Sequence, residues 1–351
     1  MTSLSKSLIN WYSYNKRNLP WRETKNPYYI WISEIILQQT RVNQGLSYYY
    51  KFIEKFPDID SLASADIDEL LNLWQGLGYY SRARNMHFTA QNIVKNYEKT
   101  FPTKYKELIK LKGIGDYTAS AIASISFNQP TPVLDGNVFR FIARYFGVSE
   151  STQSTKGKQE FKKILFGLIP EENPGVFNQA IMEFGALQCI PKNPDCISCP
   201  YHSECFAYKN NLIDELPAKK KKVKQTVRYF NYLFIIYNDF TFIEKRTGTD
   251  IWKLLYQFPL IETNDEISLP DLTKRKEWIN IFKNIKTEID TNYIEQKHIL
   301  SHQKLITRFY KVKICTISKP LAHNYLKTNM VELHNYGIPK LLENYLEIIN
   351  K

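Results

Sequence analysis

The stretch from Leu111 to Asn137, LKGIGDYTASAIASISFNQPTPVLDGN, constrains the fold of this chain more than any other. It reads as the end of one helix, a tight turn at Gly113-Ile114-Gly115, and a second helix from about Asp116 to Phe127, because glycine tolerates the positive φ that such a turn needs. Two glycines bracketing one aliphatic residue leave backbone N–H groups bare at a helix N-terminus, an arrangement suited to a phosphate. Asp135 follows in an apolar, proline-rich entry (Pro130, Pro132, Val133, Leu134), where an exposed loop acid is not expected. Taken alone, an Asp at this place caps the helix that begins near Asn137.

A chain of 351 residues can hold two or three domains, each with its own core. With 43% hydrophobic residues, 20 Phe and 24 Tyr, it is globular and not disordered. The formal charge of +12, from 47 Lys and Arg against 35 Asp and Glu, favours a polyanionic partner such as nucleic acid. Charge alone leaves a membrane surface or simple solubility open. No apolar run is long enough to span a bilayer, and the N-terminus MTSLSKSLINWYS has neither the apolar core nor the cleavage pattern of a signal peptide, so a cytoplasmic protein is expected. Five cysteines, four of them clustered, point to a metal or cluster site in a reducing compartment instead of a disulfide frame.

Along the chain, a short helix is expected over 5–17, followed by Leu19-Pro20-Trp21-Arg22, where an aromatic beside a cation is compatible with surface stacking. The segment 28–41 reads as a helix whose apolar positions nearly surround it, with Glu34, Gln38 and Arg41 on the remaining stripe. Ser64 is placed to cap a helix whose core face is Ile67, Leu70, Leu71 and Trp74. The loop 76–82 then carries an exposed leucine, Leu77, with Tyr79 and Tyr80; rim packing and a base-separating wedge both draw on this composition. A helix over 176–187 carries Gln179.

Cys189, Cys196, Cys199 and Cys205 follow a C-x6-C-x2-C-x5-C spacing. Four thiolates suffice for zinc, but zinc sites usually show two close pairs, and only one is present. His202 lies among them as a loop residue, and Cys315 is expected as a buried thiol in a strand. The run Pro217-Ala-Lys-Lys-Lys-Lys-Val-Lys marks a solvated linker. Beyond it the pattern turns to β-type alternation, with strands expected over 229–237, 240–245 and 305–314 and helices near 272–286 and 339–350.

The motif Gly-Ile-Gly-x-x-Thr-Ala followed by Leu-Asp-Gly-Asn resembles the helix-hairpin-helix DNA glycosylases. Within that superfamily, the run W-x-S-E-x-x-L-Q-Q-T from Trp31 to Thr40 is similar to the adenine DNA glycosylase branch. The cysteine spacing is that of the superfamily's [4Fe-4S] loop. Ile251-Trp-Lys-Leu-Leu-Tyr-Gln-Phe-Pro resembles the branch's Nudix-like C-terminal domain, and Leu300-Ser301-His302 its loop that inspects the base opposite adenine, with Leu300 where relatives often carry an aromatic. The resemblance runs from about Leu19 to the C-terminus.

It implies a mainly α N-terminal region over 1–216, with two helical subdomains, the hairpin at about 111–127 and the cluster loop at 189–205. A basic linker at 217–227 and an α+β Nudix-like domain over 228–351 would follow. The carboxylate-rich helix Arg-Glu-x-x-Glu-Glu that a working Nudix hydrolase needs for Mg²⁺ is missing, so this last domain is expected to recognise and not to hydrolyse.

The resemblance further implies an enzyme that flips adenine, mispaired with 8-oxoguanine or guanine, out of double-stranded DNA and hydrolyses its N-glycosidic bond. Glu34 would donate a proton to the base and Asp135 would stabilise the oxocarbenium ion, supported by Tyr117 and Asn137. Trp21, Arg22 and Gln179 would surround the adenine. Gln39, Thr40, Leu77, Tyr79, Ser301 and His302 would meet the 8-oxoguanine. Gly113, Ile114 and Gly115 would hold a phosphate, and the four cysteines one [4Fe-4S] cluster. No nucleotide cofactor is expected, nor a membrane partner, and the chain is expected to be a monomer in the cytoplasm, nucleoid-associated if bacterial. Bifunctional relatives of the endonuclease III type carry a lysine where Tyr117 stands, and a tyrosine has no amine for a Schiff base, which predicts a monofunctional enzyme. The rivals are such a glycosylase/lyase, a non-catalytic hairpin protein that only grips DNA, and a nucleotide-pool Nudix hydrolase.

Overall fold

The computed structural model describes residues 1–152, 154–218 and 225–349. Two compact units emerge, Met1–Ser64 with Asn85–Lys221, and Ala65–Arg84 with Lys222–Lys351. The lysine run Lys219–Lys222 and Lys224, inside the expected linker, lies outside the described residues.

The first unit is helical. Its core is built by Leu8, Phe141, Phe161, Phe177 and Phe184, drawn from helices Ser3–Asn15, Gly136–Phe146, Thr155–Leu168 and Pro174–Leu187. Phe141 and Phe184 meet edge to face at 4.8 Å, the geometry aromatic quadrupoles favour. The hairpin forms as expected, with its second helix at Asp116–Phe127. Positive φ falls on Gly113 alone (81°), where a Cβ would also meet Asn85 at 2.7 Å. Gly115 is the extended N-cap, and no side chain caps this helix. Ile114 is buried and its N–H bonds to the Leu111 carbonyl, so it plugs the turn from within.

The helix expected over 28–41 spans Pro27–Leu37. Asn26 caps it through the Tyr28 N–H, and Pro27 sits at the first position, where a missing N–H costs nothing. It stops because Gln39 takes a left-handed φ of 63° and the chain doubles back into the helix Val42–Lys55. Gln38 and Arg41 therefore flank that reversal and do not extend the Glu34 stripe.

In the second unit, the helix Ile67–Leu73 is capped by Asp66, whose carboxylate accepts from the N–H groups of Asp68 and Glu69. Ser64 instead ends the preceding helix, donating to the Asp60 carbonyl. Among the described residues eight strands follow: β1 Thr226–Ile236, β2 Phe240–Lys245, β3 Tyr256–Gln257, β4 Leu260–Thr263, β5 Thr287–Ile289, β6 Ile294–Ile299, β7 Gln303–Ile314 and β8 Leu326–Asn329. One mixed sheet runs β4-β1-β7-β5 with β6 also on β7, and a smaller one runs β3-β2-β8. The long pair β1 and β7 is parallel, registering Thr226 with Gln303 and Ile236 with Lys313. Apolar layers pack on it, one around Phe230, Phe309 and Tyr345, the other around Leu233, Tyr310 and Trp278.

The helix expected near 272–286 is two short ones, Leu269–Thr273 and Lys276–Ile281, and the C-terminal helix is Lys340–Ile349. Cys315 is exposed, not buried, because β7 ends at Ile314 and the cysteine sits in the bend beyond it. No described helix is long and apolar enough to cross a membrane.

Candidate active site

A cavity of about 730 Å³ opens in the helical unit. Four stretches wall it: the segment from Arg17 through the turn Pro20–Arg22, the helix Pro27–Leu37 with its reversal, the hairpin helix with the Asp135 cap, and the helix Pro174–Leu187. Glu34, Tyr117, Asp135, Asn137, Trp21, Arg22, Gln179, Gln39 and Thr40 all line it. The last helix presents Gln179, Met182, Glu183 and Ala186, spaced i, i+3, i+4, i+7, so one face looks into the cavity. That helix approaches the Asp135 cap closely at Gly185, where a Cβ would stand 2.6 Å from the Asn137 carbonyl oxygen.

Glu34 is buried, flanked by Trp31, Ile35 and Ile36. Burial pushes its carboxyl up to about 7; a hydrogen bond from Tyr117 and the charge of Arg22 pull it down, while Asp135 adds to the rise. Tyr117 has a single proton to give. Its hydroxyl donates to the Met182 Sδ at 3.3 Å and also favours the ionised form of Glu34, so this hydrogen bond can turn from Met182 to Glu34 as Glu34 gains charge.

Asp135 is both a helix cap and a cavity wall. Its Oδ1 accepts from the N–H groups of Asn137 (3.0 Å) and Val138 (2.8 Å), and its Oδ2 accepts from Asn137 Nδ2 at 2.9 Å. Burial raises its carboxyl, and these bonds with the charge of Arg140 oppose the rise. Arg140 in turn donates to Asn137 Oδ1 (2.9 Å) and to the carbonyls of Gly185 and Cys189. The orientation of Asn137 is thereby fixed from behind.

Sequence reading missed the floor of the cavity. Glu183 accepts from both guanidinium groups of Arg17 and Arg22, at 2.6 to 2.9 Å, and from the Arg17 N–H. Burial would raise its carboxyl, but these hydrogen bonds hold it at about 2. Tyr12 donates to Gln179 Oε1 at 2.9 Å and lies 5.4 Å beneath the Arg22 guanidinium. The spacing of Glu183 one helical turn after Gln179 was the available signal. Nothing local to Tyr12 or Arg17 marked them.

The four clustered cysteines border one small cavity with Phe141, Arg144 and Tyr201. Arg144 Nη1 donates to Cys189 Sγ at 3.5 Å, and its other N–H groups hold the carbonyls of Ile190, Pro191, Ile213 and Leu216. Among the described residues, no three His, Cys, Asp or Glu side chains converge as a single metal ion requires. Four thiols bordering one cavity offer a donor set that one zinc or a four-iron cluster would take. Burial pushes the Cys199 thiol up to about 11. His202 turns Nδ1 to the Cys199 carbonyl at 2.9 Å and remains a loop residue.

In the second unit a cavity of about 480 Å³ is lined by Leu77, Tyr79, Trp252, His298, Ser301 and His302, among others. Tyr79 and Ser301 share a hydroxyl hydrogen bond of 2.8 Å. Arg82 donates to the carbonyls of Leu77 and Gly78 and Trp74 Nε1 to that of Gly78, which pins the loop. Leu77, expected to be exposed, is buried by this arrangement, whereas Tyr79 is half exposed at a φ of 46°.

Residues 32–166 match the model of the HhH-GPD superfamily base excision DNA repair proteins, and residues 231–347 that of the NUDIX domain. The structure of a thermostable thymine-DNA glycosylase is similar at a TM-score of 0.55 and 27% identity, over 59% of this chain and 95% of that one. An endonuclease III–DNA complex shares the fold at a TM-score of 0.52 and 23% identity, over 60% of this chain and 95% of that one. Hairpin, paired acids and matched model together define a base excision DNA repair protein of the helix-hairpin-helix class. Adenine DNA glycosylase of Buchnera aphidicola subsp. Schizaphis graminum is 39% identical over 346 residues, covering 98% of each chain, and that of Homo sapiens 40% identical over 216 residues, covering 59% of this chain and 40% of its own. The chain belongs to the adenine DNA glycosylase family.

Proposed function

We propose that this enzyme excises adenine opposite 8-oxoguanine, or guanine, in double-stranded DNA and leaves an intact abasic strand. The observation that carries the reading is the pair Glu34 and Asp135 on one cavity, the first protonatable near neutrality and the second held by three hydrogen bonds. A departing adenine takes the electrons of the C–N bond and gains negative charge while the sugar gains positive charge, so one acid and one carboxylate answer the two needs. Glu34 protonates N7 of the flipped base, and Asp135, oriented by Asn137, stabilises the oxocarbenium ion while water adds to it. Trp21, Arg22 and Gln179 hold the adenine. Unstacking it costs a few kcal/mol, offset by these contacts and by phosphate grip at the N–H groups of Gly113 and Gly115, whose turn Ile114 holds from within.

The facing 8-oxoguanine is read by Gln39 and Thr40 from the helical domain (1–216) and by Leu77, Tyr79, Ser301 and His302, the last two from the Nudix-like domain (228–351) beyond the basic linker. The enzyme works as a monomer in the cytoplasm or nucleoid. Comparing excision from duplexes carrying adenine opposite 8-oxoguanine, guanine or thymine tests the reading. Equal rates on all three would remove it.

With tyrosine at 117, that position has no amine with which to attack the sugar. Borohydride added during turnover is therefore expected to trap no protein–DNA adduct on a denaturing gel, whereas efficient trapping would assign lyase chemistry.

Cys189, Cys196, Cys199 and Cys205 would hold one [4Fe-4S] cluster, which supplies a rigid cross-link for its loop. Iron analysis of protein purified without oxygen is expected to give about four irons per chain with broad visible absorption. One zinc and a colourless protein would contradict the assignment.

A further inference from the structure

We propose that Glu183 is a positioning residue for adenine excision, clamping Arg22 against the cavity floor and cancelling guanidinium charge beneath Glu34. The inference rests on the assignment of Glu34 as proton donor. Glu183 is almost fully buried, yet it faces the cavity that would hold the base, one turn from Gln179. Its Oε1 accepts from Arg17 N, Arg17 Nε and Arg22 Nη1, and its Oε2 from Arg17 Nη2 and Arg22 Nη2. Two arginines forked onto one carboxylate make a poor device for stability alone, since burying charge costs several kcal/mol per ion and a packed apolar side chain serves the fold as well. The arrangement does fix the guanidinium of Arg22. Its bonds to Glu183 and to the Arg17 carbonyl (2.8 Å) use three of its five N–H groups and set the direction of the others.

The same residue sets the local charge. Glu34 is faced by Tyr117 from the hairpin helix, Asp135 from the cap, and Arg22 from the turn Pro20–Arg22. Behind Arg22 stand Arg17, Glu183 and Tyr12, and Arg41 lies at the rim. Without the Glu183 charge, Arg22 faces Glu34 without the carboxylate that pairs it with Arg17, and a nearby cation favours carboxylate over acid. Glu34 would then lose its proton at lower pH.

The test is single-turnover excision from a duplex with adenine opposite 8-oxoguanine, followed from roughly pH 5 to 9. Glu183→Gln is expected to move the alkaline limb of the profile down by about one unit. The double variant Glu183→Gln/Arg17→Gln removes one charge of each sign and is expected to bring the limb back. Glu183→Asp keeps the charge but draws the fork back by one methylene, so the limb should stay while the plateau rate falls about tenfold. An unmoved limb in Glu183→Gln, or a double variant that leaves it displaced, would overturn the proposal. If Glu183→Gln does not fold, Glu183→Asp decides: a lowered plateau supports the clamp and a wild-type rate refutes it. Glu34→Gln runs alongside. Full activity there would remove the acid itself, whereas an inactive Glu34→Gln with an unmoved Glu183→Gln removes only the role of Glu183.

Discussion

Glu34→Gln is expected to lower the single-turnover rate of adenine excision by about 10²- to 10⁴-fold, the usual contribution of a positioned general acid. Affinity for the mispaired duplex should change little, because the amide fills the same space. In the wild type the protonated form is the active one. With its carboxyl at about 7, the rate should fall as pH rises through it. A Glu34→Gln rate within a few-fold of wild type would show that the proton comes from elsewhere.

The same substitution should stabilise the fold. An ordinary carboxyl is at 4.5 and that of folded Glu34 at about 7, so between these values the folded chain binds more protons than the unfolded one. Stability therefore declines as pH rises across that window, and above it the loss is on the order of 3 kcal/mol. Denaturation at pH 8 should find Glu34→Gln more resistant than wild type, while at pH 4 the two should coincide. Gain of stability with loss of rate is the mark of a group kept in place for chemistry.

Asp135→Asn should be comparably inactive for a different reason. A carboxylate ~4 Å from an oxocarbenium ion, at an effective dielectric of ~20, attracts it by roughly 4 kcal/mol, or about 10³ in rate if the attraction exists only in the transition state. Asparagine caps a helix about as well as aspartate, so the bonds to the Asn137 and Val138 N–H groups survive, and only the bond from Asn137 Nδ2 is lost, so the melting temperature should fall by no more than a few degrees. An active but destabilised Asp135→Asn would mean that the cap is all this residue provides.

Much of this was legible in the chain because hairpins and clustered ligands are local. Gly113, the helix from Asp116 and the four cysteines declare themselves within a few residues, and Asp135 stands out by its apolar approach. Boundaries were less legible where the decisive residue is chemically ordinary. Gln39 makes a left-handed turn with no glycine to announce it, and Asp66 takes the capping role that Ser64 could also have filled. The cavity floor was hidden for another reason. Arg17 and Glu183 are 166 positions apart, and an Arg or Glu near an aromatic looks like any solvated charge until the fold brings the two together.

The seam at Gly185 bears on how this protein can fail. Anything larger than hydrogen there must shift the Asn137 backbone, and with it the amide that orients Asp135, although Gly185 itself touches no reacting atom. A larger residue at such a spot would weaken the fold and disturb the catalytic carboxylate together, so damage to repair can begin at a position that no substrate ever reaches.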